Sequence, residues 1–138
     1  MRSGLGQAGD APAPRWRQRS SVLHLDPRRV DARGWRLLQA VAASTGLQPQ
    51  HLLGPDRGKA DIALARQLAM YLMHTHYRRI YSAVGRFFGR DRTTVSHACG
   101  VIEELREDPG FDTQVARLEA ELADEAAAER EGANAFRG

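Results

Sequence analysis

The sequence predicts an all-α domain of about five helices, and two observations favour this fold class. Apolar residues recur every three or four positions in successive stretches, whereas no stretch alternates apolar and polar residues as a β-strand does. Glycine, proline and polar residues separate these stretches, as expected of turns between helices. The predicted domain covers residues 30–122; a disordered arm (1–29) rich in Arg, Pro and Gly precedes it, and an acidic Ala/Glu-rich tail (123–138) that is expected to fray follows it.

Charge is distributed unevenly along the chain, although the formal net charge is only +3. Residues 1–36 and 37–101 each contain eight basic and three acidic residues, whereas residues 102–138 contain four basic and eleven acidic ones. A basic body with an acidic end points to a polyanionic partner, but a chance segregation of exposed charges explains the pattern equally well.

The composition disfavours several classes of protein. No apolar run approaches the roughly 20 residues that span a bilayer, and the first residues lack the apolar core of a secretory signal. A mitochondrial transit peptide is a weaker alternative, since the Arg-rich arm contains prolines and glycines that disfavour its amphipathic helix. Cys99 is the only cysteine, which excludes an intramolecular disulfide and a Cys-based zinc cluster and fits the reducing cytoplasm.

The first predicted helix begins after Asp31, as N-cap, and ends at Gly46, which suits the left-handed position just beyond a helix. A short helical turn (47–53) and a loop (54–60) follow it. The apolar stripe of this helix is expected to contain Trp35, Leu38, Val41 and Ala42.

The second helix is predicted over residues 62–75, with Asp61 as its N-cap. Arg66, Gln67 and Met70 are expected to point away from its buried side. The buried stripe is expected to contain Ile62, Ala65, Leu68, Ala69, Leu72 and Met73.

The third helix is predicted over residues 79–88 and ends at Gly89. The fourth is predicted over residues 92–107, and Pro109-Gly110 is expected to break the chain before a fifth helix that begins near Phe111. The expected buried residues are Ile80, Val84, Phe87 and Phe88 in the third helix, Val95, Ala98, Cys99, Ile102 and Leu105 in the fourth, and Phe111, Val115, Leu118 and Leu122 in the fifth.

The third and fourth helices meet across the short turn 89–91, an arrangement typical of a helix-turn-helix. A polar, short-chained helix face fits the major groove of DNA, and free N–H groups at a helix start suit phosphate oxygens. Taken alone, Thr93 and Thr94 are explained as well by capping of the helix. The residues expected on the exposed side of the fourth helix are Arg92, Thr93, Ser96, His97 and Gly100.

Residues 65–72, 84–98 and 102–108 resemble the C-terminal DNA-binding domain of the bacterial replication initiator DnaA. The core motif of that domain is Gly-Arg-Asp-His-Thr-Thr-Val-x-His-Ala, and the sequence from Gly89 to Ala98 matches it at all but one specified position. The resemblance covers about residues 33–122. It implies the TrpR-like helical fold of that domain and binding to double-stranded DNA as a monomer.

The resemblance also implies roles for the residues of the motif. Asp91 and Thr93 match positions that contact base edges, where an Asp accepts from a cytosine amino group and a Thr methyl packs on thymine. Thr94 and His97 match positions that contact phosphates. Arg90, in the same turn, is counted with this DNA-contacting group.

Two further groups of DNA contacts are implied outside the motif. Arg66 and Gln67 match positions that contact the DNA backbone. In the family, a basic loop before the second long helix enters the minor groove, and here that loop offers Arg57 and Lys59 in a loosely matched register.

The sequence departs from the family at three places. Arg92 replaces the usual His at a base-contacting position, and Arg favours guanine or a phosphate. The turn is one residue shorter than usual, and Ser82 stands where a Pro is usual. Non-specific binding to DNA should survive these changes, whereas the preferred sequence is expected to differ from the initiator's own.

No residue set predicts an enzyme, a cofactor site or a metal site. The segment 54–60 resembles a phosphate-binding loop only loosely, because it has three residues between its glycines rather than four and Ala60 in place of Ser or Thr. His74 and His76 lie two apart, and residues at that spacing on a helix do not share a face.

The sequence therefore predicts a stand-alone DnaA-type DNA-binding domain in the bacterial cytoplasm, at the nucleoid, without ATPase activity. It is expected to bind double-stranded DNA sequence-specifically through a recognition helix at about 92–107 and to regulate replication initiation or transcription. The alternative is an adaptor that binds replication proteins, such as the initiator or a polymerase clamp, and has a weak or vestigial DNA face.

Overall fold

The computed structural model describes residues 31–55 and 59–137, with side chains up to residue 132. These residues form helices only, and none of them lies in a β-strand, which confirms the predicted all-α class. The predicted arm and Arg57 lie outside the described residues. The helices are α1 (Ala32–Thr45), a short 3₁₀ helix (Pro49–Leu52), α2 (Ala60–Thr75), α3 (Tyr81–Phe88), α4 (Arg92–Leu105) and α5 (Pro109–Arg137).

The core forms around α2, which packs against α1, α3, α4 and the 3₁₀ helix, while α5 packs against α1. Burial of apolar side chains, worth about 25 cal/mol per Å², holds these helices together. In the described part of the chain no helix is both long enough and apolar enough to cross a bilayer. The most deeply buried side chains include Leu37, Leu38, Val41, Leu52, Leu72, Met73, Val84, Val95, Ile102, Val115, Leu118 and Leu122.

The end of α1 follows the prediction. Gly46 has a φ of 74°, and the Leu47 N–H donates to the Ala42 carbonyl at 2.9 Å, which closes the helix. The buried side of α1 is wider than the predicted stripe, because α1 contacts both α2 and α5. Leu37 is therefore buried, whereas Trp35 is only partly buried at the edge of the core.

α2 begins two residues before the predicted start, and Lys59 rather than Asp61 occupies its N-cap position. The Lys59 carbonyl accepts the Ala63 N–H at 3.1 Å, while the Asp61 carboxylate accepts the N–H of its neighbour Ile62 at 2.9 Å. The prediction that Met70 points away from the core was wrong, because this side chain is 1% exposed. A central helix has neighbours on several sides, so a single apolar stripe underestimates its buried surface.

α3 begins at Tyr81, two residues after the predicted start. Ile80 precedes the helix with an extended backbone and is 66% exposed, so its predicted burial was wrong. A residue outside a helix does not share the direction of the helix's apolar face. Val84 and Phe88 are buried as predicted, and Phe87 is partly buried.

α5 begins at Pro109, which does not break the chain as predicted. The Asp108 carboxylate accepts the Phe111 N–H at 2.9 Å, and proline fits the first position of a helix, where its missing N–H is no loss. The helix continues to Arg137, through the tail for which the sequence predicted fraying. Ala and Glu have high helix propensity, and Arg36 of α1 forms an ion pair with Glu129.

Arg106 connects the end of α4 to α5 and α2. Its guanidinium donates to Asp112 at 2.5 Å, to Glu119 at 3.1 Å and to the Tyr71 hydroxyl at 3.2 Å. These hydrogen bonds, foremost those to Glu119, raise the pKa of Arg106 above its usual value. Leu105, predicted as buried, is exposed because α4 ends there. α4 is thus held firmly at the end opposite its first turn.

Candidate nucleic-acid interface

The three-residue turn 89–91 joins α3 to α4, and two glycines permit the close approach of the helices. Gly89 has a φ of 69°, a left-handed conformation that glycine adopts without steric cost. The Gly85 carbonyl accepts the Arg90 N–H at 2.8 Å, and a Cβ on Gly85 would lie 2.5 Å from the Arg90 carbonyl oxygen. Backbone contacts therefore fix the angle between α3 and α4.

α4 buries one side and exposes the other, as predicted. Its apolar side packs against α2 and α3. From Arg92 to Gly100 the exposed side carries no acidic residue and, after Arg92, only short or uncharged polar side chains and one His. The buried residues are Val95, Ala98, Cys99 and Ile102, and the exposed ones are Arg92, Thr93, Thr94, Ser96, His97 and Gly100.

Asp91 occupies the N-cap position of α4, and its carbonyl accepts the N–H groups of Thr94 and Val95. Its carboxylate does not cap the helix but accepts a hydrogen bond from the Thr93 hydroxyl at 2.9 Å. Both side chains are exposed. The hydrogen bond thus holds Asp91 and Thr93 together at the exposed start of α4.

Arg92, Thr94 and His97 extend this exposed surface along α4. Among the described residues, none of these three side chains has a hydrogen-bonding or ion-pair partner. A guanidinium, a hydroxyl and an imidazole all donate hydrogen bonds to phosphate or base oxygens. α4 therefore presents donors along one side and a carboxylate acceptor just before its start.

Arg90 does not share this exposed surface, although the sequence predicted a DNA contact for it. The side chain is partly buried, and its guanidinium donates to the carbonyls of Phe88 at 3.1 Å and Gly54 at 3.0 Å. Gly54 follows the 3₁₀ helix, so Arg90 ties the turn before α4 to that loop. Its hydrogen-bonding capacity is directed at the protein's own backbone.

Arg66, predicted to contact the DNA backbone, is 4% exposed. Its guanidinium donates to the carbonyls of Leu52 at 2.7 Å, His51 at 3.3 Å and Gly54 at 2.5 Å. Burial, and secondarily the charge of Arg90, lowers the pKa of Arg66. The Gly54 carbonyl thus accepts from one arginine of α2 and one of the turn. Sequence reasoning missed this junction, because the acceptors are carbonyl groups, which every residue carries.

The remaining predicted contacts lie on or near α2. Lys59 is exposed at the N-cap position, and Gln67 is partly buried two turns further along. Neither side chain hydrogen-bonds to another described residue. Arg57 lies in the segment 56–58, which is outside the described residues.

The site exposes hydrogen-bond donors, acceptors and charges, which suit recognition of a ligand. In the described ranges no group of three His, Cys, Asp or Glu side chains is arranged to hold a metal ion. Cys99 lies on the buried side of α4, and burial, together with the charge of Glu103, raises the pKa of its thiol to about 11.

Two helices joined by a tight glycine turn, the second with one exposed polar side, are typical of the helix-turn-helix class, whose members bind DNA. Residues 36–102 match the family model described as the bacterial dnaA protein helix-turn-helix. The segment 36–102 is therefore similar to the DnaA helix-turn-helix, which confirms the resemblance found in the sequence.

Similar proteins carry the name chromosomal replication initiator protein DnaA. That of Thermus thermophilus is 40% identical over 82 residues, which cover 59% of this chain and 19% of that protein. That of Deinococcus radiodurans is 37% identical over 83 residues, which cover 59% of this chain and 18% of that protein. DnaA 2 of Chlamydia pneumoniae is 39% identical over 80 residues, covering 57% and 18%. The chain spans about a fifth of the length of these relatives.

Proposed function

We propose that this domain binds double-stranded DNA sequence-specifically, with the N-terminal half of α4 in the major groove. The exposed side of α4 carries the proposal, because Arg92, Thr94 and His97 have no partner in the described part of the chain. The major groove of B-DNA is about 12 Å wide and admits an α-helix. A helix packed on one side and rich in donors on the other suits that groove.

Asp91 and Thr93 contact base edges in this proposal. The Asp91 carboxylate accepts from a cytosine amino group, and the Thr93 methyl packs against the methyl group of thymine. Their mutual hydrogen bond of 2.9 Å supports this role. It holds both side chains in one arrangement before DNA binds and so reduces the entropy lost on binding.

Arg92 contacts guanine through O6 and N7, in place of the His that is usual in the family. Its exposure, without a partner among the described residues, leaves the guanidinium available for a bidentate contact. The preferred sequence then differs from the initiator's own at the base pair that Arg92 contacts.

Thr94, His97 and Gln67 bind phosphates, and the loop that contains Arg57 and Lys59 enters the minor groove. Thr94 and His97 support this because they share the exposed side of α4. Lys59 supports it because it is exposed at the start of α2. Cations suit the negative potential of a narrow minor groove.

Arg66 and Arg90 do not contact DNA themselves but hold α2 and the turn before α4 in the positions from which other residues contact it. Both guanidiniums donate to the Gly54 carbonyl, which connects α2 to the turn before α4. Replacement of Arg66 by Ala is expected to weaken binding to all sequences alike, because it loosens this connection without removing a base contact.

The domain acts in replication initiation or transcription at the bacterial nucleoid, and it acts as a monomer without ATPase activity. The family match and the name of the relatives, chromosomal replication initiator protein, support a role at the chromosome. The matched segment is a helix-turn-helix, a module that binds DNA and does not itself carry out a reaction.

Selection of bound duplexes from a random-sequence library tests the proposal. We expect one enriched motif, and a plot of log binding constant against log salt with a slope of about −4 to −7, for roughly five to seven phosphate contacts. Arg92→Ala and Thr93→Ala are each expected to cost about 1–3 kcal/mol on that motif and to relax the preference at one base pair.

The control is Arg117→Ala, which removes an exposed arginine of α5 and should leave the ranking of sequences unchanged. Absent or salt-independent binding to duplex DNA would overturn the proposed function. Retention of replication proteins on the immobilised chain, without any binding to duplex DNA, would favour a protein-interaction adaptor instead. An unchanged ranking in Arg92→Ala would remove Arg92 from the base-contacting residues.

A further inference from the structure

The arginines of the described domain differ in whether the protein itself engages them. Arg78 is exposed and, among the described residues, has no hydrogen-bond, ion-pair or aromatic partner. Many others are engaged: Arg33 and Arg79 lie over the Tyr77 ring, Arg36 pairs with Glu129, Arg66 and Arg90 donate to backbone carbonyls, and Arg106 donates to two carboxylates.

Arg78 also has an unusual backbone conformation. Its φ is 58°, and no other non-glycine residue in the described ranges has a positive φ. This left-handed conformation costs a residue with a Cβ about 1–2 kcal/mol, and Gly or Asn adopts it more readily. An arginine at this position therefore has an unfavourable backbone conformation, and no hydrogen bond or ion pair of its side chain within the described domain compensates for that cost. Such strain is typical of residues retained for function.

The residues on both sides of Arg78 are anchored. The Tyr77 ring centre lies 4.3 Å from the Arg33 guanidinium carbon, and the Tyr77 hydroxyl donates to the Arg33 carbonyl at 3.0 Å. Nδ1 of His74 lies 2.8 Å from the Arg79 carbonyl oxygen, within hydrogen-bonding distance. Arg78 thus projects from a segment that is already ordered, so its binding to a ligand costs little backbone entropy.

The position of Arg78 in the fold points to the ligand. It lies three residues before Tyr81, where α3 begins. In helix-turn-helix proteins the first helix of the pair crosses the DNA backbone while the second enters the major groove. If α4 enters the groove in this way, the segment that leads into α3 is expected to border the backbone.

We propose that Arg78 binds a phosphate of the DNA backbone beside the groove that α4 enters. This inference rests on the proposed function and adds a contact to those of Thr94, His97 and Gln67. A guanidinium is permanently charged and donates two parallel hydrogen bonds to a phosphate. Because every nucleotide carries the same phosphate, this contact strengthens binding to all sequences alike.

Arg78→Asn tests the contact, because Asn lacks the charge and tolerates the left-handed backbone. We expect the slope of log binding constant against log salt to become less negative by about 0.9, and the affinity at about 0.1 M salt to fall about eightfold. The order in which the variant prefers different DNA sequences should stay unchanged, and its melting temperature should not be lower than that of the wild-type protein. Fluorescence anisotropy with the selected duplex and with a random-sequence duplex measures both quantities.

Two controls separate a phosphate contact from the loss of one net charge. Arg78→Lys retains the charge and should retain the wild-type slope, and Arg117→Ala should leave the slope unchanged. If Arg78→Asn kept the wild-type slope and affinity, the inference about Arg78 would be overturned, while the proposed function would stand. The same holds if Arg117→Ala changed the slope as much as Arg78→Asn does. Failure of the wild-type protein to bind any duplex would instead overturn the proposed function.

Discussion

The carbonyl oxygen of Gly54 accepts hydrogen bonds from two arginines, and neither arginine shares the exposed side of α4. An arginine that contacts a phosphate and an arginine that holds a loop both strengthen binding to DNA. They differ in salt dependence, because only the phosphate contact releases a counterion from the DNA. The salt dependence of single variants therefore distinguishes the two roles.

Arg90→Gln is expected to weaken binding to duplex DNA several-fold without changing the slope of log binding constant against log salt. The reason is that Arg90 donates to the Phe88 and Gly54 carbonyls and holds the turn before α4. Anisotropy titrations over a range of salt concentrations measure the affinity and the slope. Arg78→Asn serves for comparison, because that variant is expected to change the slope. A slope less negative by about 0.9 in Arg90→Gln would show that Arg90 contacts a phosphate.

The buried thiol of Cys99 gives the stability of the fold a dependence on pH. Burial raises the pKa of Cys99 from its ordinary value of 9.0 to about 11. The folded state then binds more protons than the unfolded state between these values, so this contribution to stability is complete below pH about 9 and is lost as the pH rises through about 11. The expected loss is about 2–3 kcal/mol.

Urea denaturation at about pH 8 and about pH 11 measures this loss in the wild-type protein and in Cys99→Ala. The variant lacks the titrating thiol, so its free energy of unfolding should fall less between the two pH values. Equal losses in both proteins would mean that Cys99 is not the group responsible.

The exposed side of α4 was predictable from the sequence, because it depends on helical spacing within one element. The positions of Arg66 and Arg90 were not predictable in this way. Arg66 donates to a carbonyl 12 residues away along the chain, and Arg90 donates to the same carbonyl from 36 residues away. Local spacing assigns an arginine to the surface and does not reveal that distant backbone carbonyls satisfy it.

At the scale of elements, the sequence predicted the helix interiors better than the helix ends. Apolar spacing placed the middle of each helix correctly, because each interior must bury a continuous face. The ends depend on local hydrogen bonds that several residues can provide, as at Lys59 and Asp61. The ion pair between Arg36 and Glu129 joins the second half of α5 to α1, a contact with another helix that spacing does not show.

Gly85→Ala is expected to lower the free energy of unfolding by about 1–3 kcal/mol. The added Cβ would lie 2.5 Å from the Arg90 carbonyl oxygen and would push α3 away from the turn. Gly132→Ala is the matched control, because a Cβ there meets nothing within 4 Å; it should raise the free energy of unfolding by about 0.5–1 kcal/mol. Urea denaturation compares the two, and a stable Gly85→Ala variant would contradict the close packing of the turn.

At the scale of the whole molecule, basic residues prevail up to the middle of α4 and acidic residues prevail after it. Part of the acidic charge of α5 is paired with the protein's own arginines, through Glu119 with Arg106 and Glu129 with Arg36. We expect the remaining carboxylates of α5 to repel the phosphates of bound DNA, so that the second half of this helix weakens binding.

Removal of residues 123–138, which contain four acidic and two basic residues, is expected to increase affinity for duplex DNA a few-fold at low salt. The increase should disappear at high salt, because salt screens repulsion between separated charges. Anisotropy titrations of the full and shortened chains provide the comparison, and circular dichroism checks that the shortened chain remains helical. Equal affinity at every salt concentration would contradict a repulsive role of the tail.

Under the proposed function, the connection through Gly54 is expected to fix the distance between the minor-groove and major-groove contacts of the domain. Lys59 is the N-cap residue of α2, and Thr93 lies at the start of α4. These two helices are joined through Arg66, the Gly54 carbonyl and Arg90. One inserted base pair moves a contact by about 3.4 Å along the DNA axis, which a hydrogen-bonded junction does not follow. A selected target with a single base pair inserted between its minor-groove and major-groove parts is therefore expected to compete no better than random duplex. If the domain binds DNA as proposed, we expect it to recognise the spacing of its target as well as its bases.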